Sequence, residues 1–294
     1  MNKVNCIYII ANSDKEKAVE YAQNVSAFLK QNSVKVITDK KHENKFSADS
    51  YFESQKELFQ NCDLVIAIGG DGTILNSAKA AVEYSKTVLG VNAGNLGFLA
   101  SMEPNETDRL LSAIKGDYIV EKRMMLEIDV PDGDGVRKYR AINEAVVSKG
   151  ALSRMIEIDV KCGGKTVNNI RADGIIAATP TGSTAYSLSA GGPVTDPALD
   201  CILLTPICPH SLLSRTTIFS GDKELNVLVN PTNCDNTAYL TIDGQQVVNV
   251  SGAYELSIKK SDKYALLATF KDKAFYEVLN EKILAKDRII KHEN

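Results

Sequence analysis

The chain has 294 residues, 44% of them hydrophobic and 24% charged, a balance that suits a globular protein of one large or two moderate domains. Its 34 basic and 37 acidic residues give a formal net charge of −3, so no overall field draws it to nucleic acid or to an anionic membrane, and any phosphate ligand must be held by local groups. The first apolar stretch, Cys6-Ile7-Tyr8-Ile9-Ile10, is too short for a signal peptide or a membrane span, and six cysteines with no Cys-x-x-Cys pair, beside three histidines, point to reduced thiols in the cytoplasm rather than to a zinc site or disulfide framework.

The first third alternates short apolar runs with segments of helical period, the pattern of a parallel sheet with crossover helices. Cys6 to Ile10 reads as the first strand. Ser13-Asp14-Lys15-Glu16 fits a capping box, and Ala18, Ala22, Val25 and Leu29 then recur on one helix face. Val34 to Thr38 reads as a second strand, followed by a polar stretch, Asp39 to Ser50, with the composition of a flap, and by a helix leading to Cys62. Leu64-Val65-Ile66-Ala67-Ile68 is a continuous apolar run, as expected of a strand buried on both faces, and it stops at Gly69-Gly70. A helix with Ile74, Ala78, Ala81 and Val82 on one side follows. Val88 to Val91 is a further strand, ending in Asn92-Ala93-Gly94-Asn95-Leu96-Gly97.

Beyond about residue 121 the texture changes to short strands broken by turns such as Pro131-Asp132-Gly133, Gly163-Gly164 and Asp243-Gly244, which predicts a β-rich, sandwich-like second domain. The expected division is 1–121 for a Rossmann-like α/β domain, 122–271 for the β-rich domain, and 272–294 for a tail that is helical in pattern from Phe275 to Ile290.

Gly69-Gly70-Asp71-Gly72-Thr73 lies between a buried strand and a helix start, where glycines let phosphate approach the backbone and helix N–H groups face it. Asp71 is the unusual member, because a carboxylate repels phosphate. It suits a proton acceptor or a ligand to a divalent ion, or else a helix N-cap in a tight turn. Two familiar phosphate motifs are absent: Gly164-Lys165-Thr166 lacks the earlier glycine of a P-loop, and Leu75 stands where a dinucleotide fingerprint needs glycine.

Asn143-Glu144 interrupts an apolar stretch. A carboxamide beside a carboxylate can grip adjacent ribose hydroxyls, or the pair can satisfy backbone groups of a strand. The segment from Arg171-Ala172-Asp173-Gly174 through Pro180-Thr181-Gly182-Ser183-Thr184-Ala185-Tyr186-Ser187-Leu188-Ser189 can hold a base by stacking on Tyr186 and bonding to Thr184 and Ser189, with Arg171 and Asp173 reading polar groups. Ser183 lacks the nucleophile elbow of a hydrolase.

Together these motifs resemble the NAD kinase family: the Gly-Gly-Asp-Gly-Thr loop, the Asn-Glu pair and the Gly-Ser-Thr-Ala-Tyr segment stand in the same order, with further likeness in Gly90-Val91-Asn92, Leu96-Gly97-Phe98-Leu99 and Leu204-Thr205-Pro206-Ile207-Cys208-Pro209-His210. The resemblance implies an α/β domain followed by a β-sandwich domain, with the active site between them. It implies a homodimer or homotetramer, and transfer of the terminal phosphoryl group of ATP, or of polyphosphate, to the 2′-hydroxyl of the adenosine ribose of NAD. A divalent metal cation, Mg2+, would neutralise charge, since the loop has no lysine. Asp71 would be the general base, with Gly69, Gly70, Gly72 and Thr73 forming the phosphate loop. The family's nucleotide contacts fall on Asp71, Gly72, Asn143, Glu144, Arg171, Asp173 and the run Thr184, Ala185, Tyr186, Ser187, Leu188 and Ser189, with Arg154 and Gln245 as further transfers. The chain departs from the family pattern at Thr216, where proline commonly follows the arginine, and at Ala93 and Asn95. A lipid kinase and a non-catalytic nucleotide sensor are the rival readings.

Overall fold

The structure is a computed structural model that describes residues 3–94, 97–103, 105–150, 154–231, 237–270 and 275–281. The chain divides into two compact units, 1–122 with 265–294, and 123–264. The two crossings fall inside long strands rather than in linkers, so the unit boundaries differ from the expected 121 and 271, and the C-terminal tail counts with the first unit. Within that tail residues 275–281 are helical; the remainder of the expected helix lies outside the described residues.

The first unit runs β1 (Cys6–Ala11), α1 (Glu16–Gln31), β2 (Lys35–Asp39), β3 (Ser50–Phe52), α2 (Gln55–Asn61), β4 (Leu64–Gly69), α3 (Asp71–Ala81), β5 (Thr87–Asn92) and α4 (Thr107–Lys115). The strands are parallel in the order β5-β4-β1-β2-β3. Every residue of β4 is buried, as its unbroken apolar run requires. On one face Ile7, Ile9, Ile66, Ile68, Leu89 and Val91 pack with Ala18, Ala22, Val25 and Leu29 of α1 and with Leu110 and Ile114 of α4. On the other, Tyr8 meets Phe59 of α2 edge-on.

Two local expectations are corrected. Ser13 does not cap α1, whose N-cap is Lys15 with no side-chain cap bond; the Ser13 hydroxyl instead lies 3.1 Å from His42 Nε2. The polar stretch after β2 is not a loose flap, because His42 and Phe46 are buried and the Tyr51 hydroxyl ties the Phe46 carbonyl to the Ala48 amide. A polar composition hid two anchors.

The second unit contains β6 (Ile119–Asp132), β7 (Gly135–Ala141), β8 (Glu144–Lys149), β9 (Ile156–Cys162), β10 (Lys165–Ala172), β11 (Gly174–Ala178), a helical turn over Tyr186–Ser189 (α5), β12 (Cys201–Ile207), β13 (Thr217–Ser220), β14 (Leu225–Asn230), β15 (Thr237–Ile242), β16 (Gln246–Ser251) and β17 (Tyr254–Thr269). Strands β10-β9-β14-β17, with β6 and β7, make one layer, and β13-β12-β11-β8-β15-β16 make the other. Alternating residues from both layers, among them Ile158, Val160, Val227 and Ile258 on one side and Ala145, Val147, Ile175, Leu204 and Leu240 on the other, form one core, the packing of a β-sandwich. Gly163 and Gly164, at φ +58 and +76, turn the β9–β10 hairpin, which settles Gly164-Lys165-Thr166 as a turn.

Candidate active site

In the first unit the glycine loop joins the end of β4 to α3. Gly70 is the N-cap of α3 and Asp71 its first residue, so Asp71 is not the capping group. Its carboxylate turns away from its own helix: Oδ2 accepts the Phe98 amide at 2.9 Å and Oδ1 the Leu99 amide at 3.1 Å. A Cβ on Gly97 would be driven into this carboxylate, so the second glycine loop is shaped around Asp71. The Ala93 amide also bonds to the Gly69 carbonyl at 3.0 Å, fastening the loops after β4 and β5 together. Gly72 is exposed and has nothing within 4 Å of where a side chain would begin, so the loop backbone is open to a ligand. Thr73 packs its side chain over Gly69 and is itself held by the Ser77 hydroxyl on its carbonyl at 2.8 Å, so it shapes the loop.

In the second unit Asn143 and the first residue of β8, Glu144, sit at a turn closed by Asp243. The Asp243 carboxylate accepts the amides of Ile142 at 3.2 Å, Asn143 at 2.8 Å and Glu144 at 3.2 Å. Asp243 occupies the left-handed region, φ +50, which aspartate tolerates better than most residues. The Asp-Gly pair reads in sequence as a turn signal only, which is why its role as the staple of the Asn-Glu pair is invisible there.

The Asn143 carbonyl accepts the Thr179 amide at 2.8 Å, the Thr179 hydroxyl bonds back to the Ile142 carbonyl at 2.6 Å, and the Gly182 amide bonds to that hydroxyl at 3.0 Å. Gly182 lies against Asn143 so closely that a Cβ would collide with the Asn143 backbone. The turn before Tyr186 is thereby fused to the Asn-Glu turn. Glu144 is buried, and its Oε2 has no hydrogen-bond partner among the described residues. Burial, reinforced by the neighbouring Asp243 carboxylate, pushes the Glu144 carboxyl up to about 7, while a hydrogen bond from the Tyr186 backbone pulls the other way.

Tyr186 and Leu188 are 45% and 38% exposed, large apolar groups presented to solvent at the start of α5. Thr184 and Ala185 are half-buried and Ser189 is exposed. Ser187 is different: its buried hydroxyl lies 3.0 Å from Thr205, which lies 3.0 Å from the Thr216 hydroxyl, so the departure at Thr216 adds a member to a hydroxyl chain that a proline could not join. Ser183 is spent on the Pro180 carbonyl and the Thr195 amide, which removes it as a nucleophile. Asp173 pairs with Lys149 at 2.8 Å, and Arg171 stands 3.6 Å from Glu157 on an exposed strand. Arg154 and Gln245 are exposed, Gln245 directly after the Asp243-Gly244 turn. The structure thus joins Asn143, Glu144 and Tyr186 through hydrogen bonds, whereas Arg171 and Asp173 are engaged with other side chains.

Among the described residues no three His, Cys, Asp or Glu side chains converge as ligands for a metal ion, and no helix is long and apolar enough to cross a membrane.

Comparison with known proteins matches residues 7–118 to the ATP-NAD kinase N-terminal domain and residues 142–270 to the ATP-NAD kinase C-terminal domain. The NAD kinase of Thermoanaerobacter sp. (strain X514) is 39% identical over 277 residues, 94% of this chain and 97% of the relative, and that of Ruminiclostridium cellulolyticum is 35% identical over 279 residues, 94% and 97%. Among solved structures, yeast NADH kinase complexed with NADH is similar at a TM-score of 0.85 and 25% identity, covering 96% of this chain and 88% of that one. An Archaeoglobus fulgidus NAD kinase in complex with ATP is similar at 0.71 and 27%, covering 95% and 97%. With both domains matched and relatives of this identity spanning nearly the whole chain, the protein belongs to the NAD kinase family.

Proposed function

We propose that the chain phosphorylates NAD at the 2′-hydroxyl of its adenosine ribose, using the terminal phosphoryl group of ATP, with Asp71 as general base. Family membership supports the reaction. The observation that carries the residue assignment is the unmatched Glu144 Oε2, a buried oxygen held at a turn stapled by Asp243 and fused to the Tyr186 segment. A buried acceptor without a donor is costly, and a ribose hydroxyl supplies the missing hydrogen bond. Asn143 contributes donors and an acceptor beside it. Thr184, the exposed Tyr186 ring, Leu188 and Ser189 take the base, with Ala185 and Ser187 contributing backbone, since the Ser187 hydroxyl is already engaged. Arg171, Asp173, Arg154 and Gln245 are assigned to the remaining polar groups of the dinucleotide.

At the phosphate loop the open backbone of Gly70 and Gly72 faces the phosphates at the start of α3. Each Asp71 oxygen accepts one backbone amide and keeps a lone pair for a proton. The ribose hydroxyl gives its proton to Asp71 as its oxygen bonds to the terminal phosphorus, and the bond from that phosphorus to the departing diphosphate breaks. A divalent cation, proposed as Mg2+, would neutralise phosphate charge at this loop when bound with the triphosphate.

The five described cysteines are free thiols, which suits the cytoplasm as the proposed setting. Leu212 and Leu213, 90% and 87% exposed, support assembly as a homo-oligomer. The test of the reaction is NADP formation from NAD, ATP and magnesium by the purified protein, read with a coupled NADP-specific dehydrogenase. Binding of NAD without turnover on ATP, on polyphosphate or with NADH as acceptor would favour a sensor and remove the kinase assignment.

A further inference from the structure

The glycine loop after β4 has no cation of its own, yet it faces phosphates in the reading above. The three adjacent parallel strands β5, β4 and β1 end side by side, and each continues into a loop at the same edge. Ligands of open α/β sheets gather at the carboxyl ends of the strands. The loop after β1 is drawn to this edge by the Asn12 amide, which bonds at 3.0 Å to the carbonyl of Ile68, the residue before Gly69. Lys15 then begins α1, its amide on the Asn12 carbonyl at 3.3 Å and its carbonyl accepting the amides of Ala18 at 2.9 Å and Val19 at 3.3 Å.

From that fixed start the Lys15 side chain reaches across both glycine loops. Its ammonium nitrogen lies 3.9 Å from where a Cβ of Gly70 would stand and 3.8 Å from that of Gly94, and among the described residues, chain neighbours aside, no other group comes within 4 Å of either position. Two glycines from two different strand ends therefore share one lysine as their neighbour. Lys15 is exposed and makes no ion pair with a carboxylate among the described residues, while the nearest acidic member of the loop, Asp71, is turned onto the Phe98 and Leu99 amides. An ammonium over an open N-terminal helix turn, beside glycines that leave backbone exposed, is a combination that attracts a multiply charged phosphate chain.

We propose that Lys15 is the phosphate clamp for the phosphoryl donor: its ammonium binds the terminal phosphates where they cross Gly70 and Gly94, and supplies the positive charge missing from the 69–73 loop. This rests on the kinase reading of the same loop. Lys15 forms and breaks no covalent bond; it holds the phosphate oxygens whose charge changes as the phosphoryl group moves to the ribose. The group recognised is a run of phosphates, which ATP and inorganic polyphosphate share. The anchoring of its loop by Ser13 on buried His42 keeps the lysine in place.

The experiment compares wild type with Lys15→Met and Lys15→Arg in two assays. Steady-state kinetics with ATP and separately with polyphosphate should show kcat/KM for each donor falling about ten- to a hundredfold in Lys15→Met, the scale of a lost charge-assisted contact, with the KM for NAD within about threefold of wild type. Lys15→Arg should recover most of the loss, and the salt dependence of donor kcat/KM should flatten in Lys15→Met. A loss with ATP alone would restrict the clamp to the nucleotide donor. Calorimetric titration with inorganic tripolyphosphate reads binding without turnover, so it decides the matter even if no NADP forms: affinity should fall at least about tenfold in Lys15→Met. If Lys15→Met binds tripolyphosphate as wild type does, the clamp is refuted whether or not NADP forms; if it uses both donors at unchanged kcat/KM while NADP is made normally, the clamp is refuted and the kinase reading stands.

Discussion

Replacing Glu144 with glutamine should make the protein more stable in mild alkali while weakening its hold on NAD. The native carboxyl is pushed up to about 7 from its ordinary 4.5 by burial and by Asp243. An acid whose folded value is raised favours folding when protonated, so its contribution is complete below 4.5 and is lost as pH climbs through about 7. At about 1.4 kcal/mol per pH unit, the native protein carries a cost of about 1 kcal/mol near pH ~5 that grows to about 3 kcal/mol near pH ~8.5. Glutamine does not ionise and brings only a pH-independent cost for its buried amide, about 1–2 kcal/mol. Urea unfolding of both proteins at the two pH values should therefore show the difference in stability moving in favour of Glu144→Gln by about 2–3 kcal/mol from acid to alkali. NAD affinity should fall about tenfold through loss of a charged acceptor for the ribose. A stability difference that stays constant with pH would refute the reasoning, because it would mean that Glu144 is solvated or otherwise neutralised in the folded protein.

Gly182→Ala should lower NAD affinity and destabilise the second unit by about 1–3 kcal/mol, because its Cβ must displace the Asn143 backbone; isothermal titration and urea unfolding read both effects. His42, buried between Thr38 and Ser13, is held down to about 4 by burial and by Lys41, so its neutral form favours the fold. That contribution is whole above 6.5 and falls as pH drops toward about 4, amounting to about 3 kcal/mol in all; acid unfolding of His42→Asn should lack this loss.

The parallel sheet of the first unit is legible because each strand is a short apolar run and each helix repeats its apolar face, so burial follows directly from pattern. The run from Leu64 to Ile68 and the glycines after it place a ligand loop at a strand end by their order alone. The capping box at Ser13 misleads for a physical reason: its hydroxyl has a competing partner, His42, twenty-nine positions away, and sequence spacing carries no sign of it. Asp243 escapes notice similarly, since an Asp-Gly turn needs no further explanation until its carboxylate is seen on three amides one hundred residues upstream. Lys15 looks like one more solvated charge at a helix start. Only the side-by-side ends of β1, β4 and β5 bring it to the two glycines. The Asn143-Glu144 pair is the intermediate case: its intrusion into an apolar stretch marks it, whereas the unmatched oxygen that argues for a ligand exists only in three dimensions.

The most direct test of the central claim is NADP formation by wild type and by Asp71→Asn, measured with NAD binding to each. Asparagine keeps an acceptor for one of the two amides that hold the side chain but cannot take the ribose proton, so turnover should fall by about a hundredfold or more while NAD binding stays within a few-fold of wild type. Near-normal turnover in Asp71→Asn would contradict the assignment of Asp71 as the base and with it the proposed chemistry of the loop.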